Sequence, residues 1–547
     1  MKSKLLIVNF LLIGGTIFLL LRLFQLQIIK GEKYYQLAEE NRIRKIKIAG
    51  PRGIIFDRHG EILARNLPIF KIKEGDSQRV ISRDEALELE SQGKNENLYI
   101  DFGRLYPQDK EFAHVVGYVG EISEEELKTK NSKSKIYEIG DLIGKTGIEQ
   151  YYEEKLRGKS GGELVEVDTQ GKILRKIGKV EPIPGENLTL AIDANLQRIA
   201  ALQMKGKKGA VIVSNAKTGE ILVLYSSFSF DPNIFGKKDY GNLVQKLITD
   251  EDNRPLFNRA ISGIYPPGST FKIVTSVAGL EEKKITQNTL INDPGVIFIG
   301  PYKYANWYFT GYGKTEGEIN IIRAIKRSTD TFFYKVGEMV GVEKLVFWAK
   351  EFGLDKTFGI DLPGEVAGFV PTPEWKLKTK GESWFLGNTY HFSIGQGDLA
   401  LTPLGVNMMT AAIANGGKIC QPKVVKIGAE EKIFCRQIKI KEETLRIVKE
   451  GMEEACSSGG TAWPFFEWNG SDSWVGKYGK IACKTGTAEY VDNNGKMKTH
   501  AWFTAFTKKT EIFPSIVITV LVEGGGEGSS VAAPIAKEIL AEYFKEK

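Results

Sequence analysis

The sequence has few residues of the types that bind metals or build disulfide frameworks. Its 547 residues include four cysteines and four histidines, and none of them form a CxxC or Cys/His spacing suited to zinc. We therefore predict no metal and no cofactor. Cys420 and Cys435 flank an apparent hairpin. They either pair in an oxidising compartment or stay separate as small core residues.

The chain also lacks a strongly charged segment. Lys and Arg number 75 against 68 Asp and Glu, which gives a formal net charge of +7, and no long basic block with interleaved aromatic residues occurs. Nucleic acid is therefore not a predicted partner. The small basic excess suits a surface near anionic lipid or an anionic polymer.

One long apolar run occurs in the sequence, and it lies near the N-terminus. Lys2 and Lys4 precede Leu5–Leu21, a run of about 26 Å as a helix, and the apolar character continues to Ile29. No small-x-small cleavage site follows, so an uncleaved anchor is favoured over a signal peptide. Lysines before the run place the rest of the chain outside the cytoplasm. We predict that residues 1–30 form a cytoplasmic tip and a single transmembrane anchor in the cytoplasmic membrane.

The pattern after the anchor divides into a small module and a larger domain. Residues 31–186 mix short helical and strand patterns, including a hairpin-like segment from Arg157 to Gly178, and we predict an extended pedestal. In residues 187–547, strand patterns at both ends enclose a helical block. This order predicts an α+β domain with an antiparallel sheet.

The spacing Ser-x-x-Lys occurs four times, beginning at Ser91, Ser132, Ser214 and Ser269. The first two copies lie in charged, loop-like stretches, and the third lies in a strand and turn. Only Ser269 follows a Pro-Pro-Gly turn and begins an apolar helix, which puts Lys272 on the same face. A helix N-cap would explain the serine. It would not explain Lys272, because amines avoid burial unless they are paired or neutral.

A lysine beside a serine at a helix start has a chemical use. A serine hydroxyl is a poor nucleophile until a neighbouring base takes its proton. Lys272 can be that base only if its pKa falls, and burial, a helix N-terminus or a second cation each lower it. The helix N-terminus also offers backbone N–H groups to a developing oxyanion.

The tripeptide Lys-Thr-Gly occurs three times, at Lys145, Lys217 and Lys484. Only the last copy, in ACKTGTAEY, has the pattern of a strand that is soon followed by a second strand. An edge strand there would align an extended peptide through backbone hydrogen bonds. Lys484 would supply a second cation, both for Lys272 and for a substrate carboxylate. The alternative is an ordinary strand with a solvated lysine.

A third short motif, Ser328-x-Asp330, lies between these two. A Ser-x-Asp alone has no meaning, but the three motifs follow one another with gaps of 59 and 156 residues. Their types and order resemble the serine–lysine acyl-transfer set of penicillin-binding proteins and serine β-lactamases.

Longer stretches extend this resemblance over nearly the whole chain. They are GPRGIIFDRHGEILARN, IGKTGIEQYYEEKLRG, AKTGEILVL, NRAISGIYPPGSTFK, STDTFFYKVG, FSIGQGDLALTPL and KTGTAE with HAWFTAF. With the anchor, the chain resembles a class B penicillin-binding protein, a membrane-anchored peptidoglycan D,D-transpeptidase, and most of all the elongation type, penicillin-binding protein 2. The resemblance implies a pedestal and then a five-stranded sheet with helices on both faces.

The resemblance also implies the role of each motif residue. Ser269 would be the acylated nucleophile, Lys272 its base and Ser328 a proton relay to the leaving amine. The backbone N–H groups of Ser269 and Thr487 would form the oxyanion hole, and the third motif would hold the terminal carboxylate of a D-Ala-D-Ala stem peptide. The remaining implied site residues are the catalytic Asp330 and Lys484 and the substrate-binding Thr485, Gly486 and Thr487.

The implied reaction and partners follow from the same resemblance. Acylation would expel the terminal D-alanine, and an amine of an acceptor strand would then attack the ester, while β-lactams would trap it. The implied partners are stem peptides of lipid-linked glycan strands, β-lactams, the membrane and a SEDS-type, RodA-like glycosyltransferase.

Two departures from the family pattern affect these expectations. Asp330 replaces the usual asparagine, and an ionised carboxylate only accepts hydrogen bonds and would raise the pKa of Lys272. Either Asp330 points elsewhere or Lys484 compensates. Some elongation-type relatives carry a zinc site after the first motif. Here Asp293 has no matching histidine, so we predict no metal.

Three alternatives to an elongation-type transpeptidase stay open on the sequence. The first is a division-type transpeptidase of the same class, because the pedestal is short for the elongation type. The second is a D,D-carboxypeptidase or β-lactamase, which uses water as the acceptor. The third is a penicillin sensor or scaffold with an inactive site. The anchor and pedestal disfavour the second, and the three intact motifs disfavour the third.

Overall fold

The computed structural model divides the chain into two compact units. The described residues are 2–74, 77–93, 98–130, 137–168, 173–235, 240–492, 495–508, 510 and 515–545. The smaller unit comprises Met1–Gly53, Asn66–Arg104 and Glu154–Glu186. The larger unit comprises Ile54–Arg65, Leu105–Glu153 and Asn187–Lys547.

The helices and strands are numbered in chain order. The α-helices are α1 Lys2–Phe24, α2 Gly31–Arg42, α3 Arg83–Ser91, α4 Ala113–Val116, α5 Glu124–Lys130, α6 Gly147–Tyr151, α7 Glu153–Leu156, α8 Ala194–Gln203, α9 Gly241–Thr249, α10 Lys272–Glu281, α11 Trp307–Tyr312, α12 Ile321–Arg327, α13 Asp330–Val340, α14 Val342–Glu351, α15 Pro373–Lys380, α16 Leu386–Ser393, α17 Pro403–Ala414, α18 Glu442–Ala455, α19 Phe466–Gly470, α20 Asp472–Tyr478 and α21 Ala533–Lys545. The strands are β1 Ile43–Ile48, β2 Ile55–Phe56, β3 Ile62–Glu74, β4 Ser77–Ile81, β5 Leu98–Leu105, β6 Val119–Glu121, β7 Leu142–Gly144, β8 Gly161–Val167, β9 Ile173–Val180, β10 Leu188–Thr189, β11 Gly209–Asn215, β12 Ile221–Ser227, β13 Ile291–Asp293, β14 Val296–Ile299, β15 Tyr302–Ala305, β16 Gly317–Ile319, β17 Lys418–Cys420, β18 Cys435–Gln437, β19 Ile481–Val491, β20 Met497–Thr507 and β21 Ile516–Val522.

The smaller unit begins with the apolar helix that the sequence predicts. A π-helical turn at Gln25–Ile29 continues α1 directly. The segment Leu6–Ile29 is long and apolar enough to cross a membrane, and none of it is buried against the protein. The N-terminal segment is therefore confirmed as a helix that can serve as a membrane anchor.

The remainder of the smaller unit is mainly β-structure. Strands β1, β8 and β9 form an antiparallel sheet in that order, with β8 in the centre. The segment predicted as a hairpin contains β8 and β9, so that prediction is confirmed. In this unit β3 also pairs with β4 in an antiparallel arrangement.

The larger unit is built on a five-stranded sheet of order β12-β11-β21-β20-β19. Every neighbouring pair in it is antiparallel. The first two strands come from the start of the larger domain and the last three from its end, so the helical block lies between them in sequence. The predicted α+β order is therefore confirmed.

Helices cover both faces of this sheet. On one face, α8 and α21 pack against β11, β20 and β21 in one hydrophobic cluster. On the other face, Asn407 of α17 donates to Thr519 Oγ1 at 3.2 Å and accepts a hydrogen bond from Ser214 Oγ at 2.6 Å. Successive side chains of a strand point to opposite faces, so each strand contributes to both layers.

The four cysteines form two disulfides in the larger unit. Cys420 and Cys435 are directly opposite each other in the β17–β18 pair and are bonded. The structure therefore decides the alternative that the sequence left open. The second disulfide joins Cys456, at the end of α18, to Cys483 in β19. The sequence analysis did not anticipate this bridge, because nothing in the spacing relates the two positions.

Candidate active site

The first motif lies in a 3-10 turn that leads directly into a buried helix. Ser269 belongs to the 3-10 segment Gly268–Phe271, and Lys272 is the first residue of α10. Residues three apart on a 3-10 helix lie on the same side, so both side chains face the same way. The Ser269 side chain caps neither segment. An N-cap role for the serine is therefore excluded.

A glycine allows this turn to lie close against strand β19. Gly268 has φ of +53°, and a Cβ atom there would lie 2.7 Å from the carbonyl oxygen of Thr487. Only glycine combines this backbone conformation with such a close approach. The indole N–H of Trp502 also donates to the carbonyl of Pro266 at 2.9 Å. The nucleophile turn thus lies against β19, which carries the third motif, and is also held by Trp502 of the neighbouring strand β20.

Ser328 lies between the two lysines. It follows α12 in the left-handed conformation, with φ of +55°, a conformation that is uncommon for a non-glycine residue and is often found at functional sites. Its Oγ lies 2.8 Å from Lys484 Nζ and 3.2 Å from Lys272 Nζ. Its carbonyl oxygen accepts a second hydrogen bond from Lys272 at 2.8 Å. The hydroxyl therefore connects the two lysine amines.

Asp330 points into the site and forms an ion pair with Lys272. Its Oδ1 lies 2.6 Å from Lys272 Nζ, and its Oδ2 accepts a hydrogen bond from the backbone N–H of Trp307 at 3.1 Å. The backbone N–H of Asp330 donates to Asn306 Oδ1 at 3.2 Å. The first of the two expectations, that Asp330 points elsewhere, is therefore wrong, because the start of α13 directs its carboxylate toward Lys272.

Burial acts against the charge of both lysines. Both side chains are 0% exposed. Burial lowers the pKa of Lys272 below its usual value, although the carboxylate of Asp330 opposes the shift. The pKa of Lys484 is lowered well below its usual value by burial and then by the charge of Lys272. One carboxylate beside two buried amines favours a state in which only one amine is protonated.

The third motif lies on an edge strand. Among the described strands of the sheet, β19 pairs with β20 alone. Lys484 Nζ donates to Ser328 Oγ at 2.8 Å, and Thr485 Oγ1 donates to Thr461 Oγ1, also at 2.8 Å. A Cβ atom at Gly486 would lie about 3.0 Å from Thr270 Cγ2, and Thr487 is exposed. The structure therefore brings all three motifs together.

One expected contact is not formed. Among the described residues, the hydrogen bonds of Lys272 Nζ go to Ser328 and Asp330, and Ser269 Oγ is not among its partners. Catalytic hydrogen bonds are often long or unformed before substrate binds, so this geometry does not contradict a base role.

Comparisons with known proteins agree with this arrangement. The penicillin binding protein transpeptidase domain matches residues 209–541, and the penicillin-binding protein dimerisation domain matches residues 81–190. The peptidoglycan D,D-transpeptidase MrdA of Acinetobacter baumannii is 32% identical, with 94% of this chain and 83% of that protein aligned. The chain belongs to the penicillin-binding protein transpeptidases. The predicted family is thereby confirmed.

Solved structures support the same conclusion for the fold. In the complex of penicillin-binding protein PBP2 with MreC from Helicobacter pylori, a chain with 30% identity superposes with a TM-score of 0.78, over 92% of this transpeptidase and 98% of that chain. Pseudomonas aeruginosa PBP2 in complex with WCK 5153 gives a TM-score of 0.72 at 32% identity, over 91% and 96%. The predicted penicillin-binding fold is therefore confirmed.

The sequence analysis missed residues of this transpeptidase that act behind the motifs. Asn306 and Trp307 hold Asp330, and Thr461 contacts Thr485. None of these residues lies in a motif or at a fixed distance from one, so no signal in the sequence could identify them.

Asp293, the carboxylate considered for a metal site, is part of a hydrogen-bonded cluster. It is buried, and it accepts hydrogen bonds from Asn306 Nδ2 at 2.8 Å and from Thr331 Oγ1 at 2.6 Å. The backbone N–H groups of Gly295 and Glu316 also donate to it, each at 2.9 Å. Four hydrogen-bond donors among the described residues therefore occupy the two carboxylate oxygens of Asp293. The absence of a metal stays a prediction.

Proposed function

We propose that Ser269 attacks the D-Ala-D-Ala bond of a peptidoglycan stem peptide and carries the peptide as an ester. The observation that carries this proposal is the Ser328 hydroxyl, which lies within hydrogen-bonding distance of two buried lysines. Such a chain of groups can move a proton without exposing a charged intermediate to water. A serine nucleophile needs this path, because its own hydroxyl is not acidic.

In the proposed path, Lys272 receives the proton of Ser269 as the serine oxygen bonds to the peptide carbonyl carbon. Lys272 therefore has to be neutral at that moment, which its burial favours. The proton then passes through Ser328 to the amine of the departing D-alanine. Lys484 takes part through its 2.8 Å contact with the same hydroxyl. The ester is later attacked by an amine of an acceptor strand, which restores the free serine.

The third motif would hold the donor peptide. An extended peptide can add to the edge of β19 through main-chain hydrogen bonds. Its terminal carboxylate would be bound by Lys484 and Thr485, and Gly486 lets the strand lie close to the turn that carries Ser269. The backbone N–H groups of Ser269 and Thr487 would stabilise the oxyanion. Gly268, which allows the serine turn to approach Thr487, supports this arrangement.

We further propose that the protein works in cell elongation at the cytoplasmic membrane, with residues 1–30 as anchor, 31–186 as pedestal and 187–547 as the catalytic domain outside the cytoplasm. The relatives named MrdA support this role. One similar solved chain belongs to a peptidoglycan synthase complex that coordinates polymerization and crosslinking. A polytopic SEDS-type, RodA-like glycosyltransferase is therefore the proposed partner, and its recovery on co-purification in mild detergent would support elongation over division.

Labelled penicillin tests the proposed nucleophile. The full chain should form a covalent adduct that peptide mapping assigns to Ser269, and Ser269→Ala should form none. Ser91→Ala, which alters the serine of another Ser-x-x-Lys copy at the end of α3, is the matched control and should label normally. An unchanged adduct level in Ser269→Ala would contradict the assignment. An adduct that hydrolyses within seconds would instead support a β-lactamase.

A further inference from the structure

The lysine of the third motif lies on a strand that the sheet holds from one side only. Lys484 sits on β19, which in the described part of the chain pairs with β20 and with no other strand of the sheet. Its Nζ nevertheless has a fixed place, 2.8 Å from Ser328 Oγ and fully buried. The position of Lys484 therefore depends on what packs behind β19.

A disulfide lies behind the strand at this point. Cys483 directly precedes Lys484, so the two side chains point to opposite sides of the strand. Cys483 is bonded to Cys456, which follows the last residue of α18. Both cysteines are fully buried in the hydrophobic cluster below the sheet. The bridge therefore ties the back of β19 to the end of α18.

The same helix supports Ser328 through α12. Gly451 of α18 packs so closely on α12 that a Cβ atom there would lie 2.8 Å from Ile325 Cβ. Lys326 forms an ion pair with Glu454 of α18 at 2.7 Å. Arg327 donates to the carbonyl of Gly459, just beyond α18, at 3.1 Å. Ile325, Lys326 and Arg327 of α12 directly precede Ser328. Because all three contact α18 or the residues just after it, α18 also determines where Ser328 lies.

Helix α18 is thus connected to both partners of one catalytic hydrogen bond. One connection runs through packing and ion pairs to α12 and Ser328, and the other runs through the covalent bridge to β19 and Lys484. We propose that α18 and the Cys456–Cys483 disulfide together set the distance between Lys484 and Ser328, which makes the bridge a positioning element of the active site. This inference rests on the proposed function.

Removal of the bridge tests the proposal, and the chain provides a matched control. The test variant is Cys456→Ala with Cys483→Ala, and the control is Cys420→Ala with Cys435→Ala. The two bridges span 27 and 15 residues, so both removals relax the unfolded chain to a similar extent. The full chain in detergent is used, at a temperature at which thermal melting finds every variant folded.

The measured quantity is the acylation rate by labelled penicillin, as a function of penicillin concentration and of pH. We expect the test variant to acylate about tenfold to a hundredfold more slowly, the loss typical of a small misplacement of catalytic groups. Penicillin should bind less tightly and the acylation step should be slower, because Lys484 takes part in both binding and acylation. A displaced Lys484 should lower the pKa of Lys272 less through like-charge repulsion, so the rising limb of the pH profile should move to higher pH. The control should keep the parental profile.

A second variant tests the helix without altering the bridge. Gly451→Ala adds the methyl group that would meet Ile325 and should displace α18 from α12, so acylation should again slow and the pH limb should shift. Parental kinetics and an unchanged pH profile in both the bridge variant and Gly451→Ala would overturn the proposal. An unaltered chain that forms no adduct would contradict the proposed function instead, so the two failures are distinguishable.

Discussion

Residues 214–219 and the active site contain the same two motifs in opposite surroundings. Ser214-x-x-Lys217 and Lys217-Thr-Gly219 overlap within six residues of β11 and the following turn. There the serine is fully buried and the lysine is exposed. In the active site the order is reversed: Ser269 is half-buried and Lys272 is fully buried.

This reversal explains why one copy can carry chemistry and the other cannot. Lys217 lies exposed in a turn, while the serine of its own motif is buried away from any substrate. A buried amine loses hydration, which lowers its pKa, and an accessible serine can reach a substrate. The hydroxyl of Ser214 is instead occupied by Asn407 at 2.6 Å. Reactivity therefore depends on which member of the pair is buried.

The largest expected effect distinguishes the two lysines. Lys272→Ala should lower the rate of penicillin acylation by about 10³-fold, within the range that general bases contribute. Lys217→Ala, the matched change in the other copy, should acylate at the parental rate, because its side chain lies in an exposed turn. The acylation rates of both variants are measured by quenching the reaction with fluorescent penicillin at successive times and quantifying the labelled protein on a gel. A Lys272→Ala variant that acylates at the parental rate would reject the base role.

The next effect compares two glycines that are both crowded and both in the left-handed region. Gly268→Ala, at φ of +53°, would place a Cβ atom 2.7 Å from Thr487 O, and we expect acylation to fall by about tenfold to a hundredfold. Gly219→Ala, at φ of +80°, would meet Gln421 O at 2.3 Å and should destabilise the fold by roughly 1–3 kcal/mol. Acylation per folded molecule should be unchanged in Gly219→Ala. Equal losses of acylation in both variants would contradict the distinction.

The motifs and their order were sufficient to predict the fold of the larger domain and the residues that meet in its site. The alternating strand patterns and the apolar run also predicted the β8–β9 hairpin and α1. The sequence did not predict the groups that orient the motifs, such as Asn306 behind Asp330 or Cys456 behind Lys484. Asn306 and Asp330 are 24 residues apart, and Cys456 and its partner Cys483 are 27 apart. The fold brings each pair together, and the sequence around one member contains no pattern that identifies the other.

A smaller effect is expected on the pH dependence of acylation when the carboxylate of Asp330, which opposes the effect of burial on Lys272, is removed. The carboxylate of Asp330 raises the pKa of Lys272 against the effect of burial. Asp330→Asn removes that charge, so the pKa of Lys272 should fall further and the amine should be neutral at lower pH. The rising limb of the acylation rate against pH should therefore move to lower pH, with a change of only a few-fold near neutrality.

The pH profile of Asp330→Asn is measured on the full chain from about pH 5 to about pH 9, a range that brackets typical catalytic pKa values. Asp398→Asn is a matched control, because Asp398 pairs with the partly exposed Lys380 and should leave the profile unchanged. A limb that moves to higher pH in Asp330→Asn would mean that the carboxylate does not stabilise the protonated lysine. The ion pair would then act through geometry alone.

The smallest effect on catalysis is expected at Ser214, and it completes the comparison. Ser214→Ala removes the hydroxyl that donates to Asn407 Oδ1 and leaves that buried oxygen without this donor. The cost should be about 1–3 kcal/mol in the free energy of unfolding, measured by urea titration of the full chain. Penicillin acylation of the folded variant should equal that of the parent, because the hydroxyl serves the contact between α17 and the sheet. A slower acylation at unchanged stability would mean that the motif copy at Ser214 influences the active site. The difference between the two copies could then no longer be explained by which residue, the serine or the lysine, is buried.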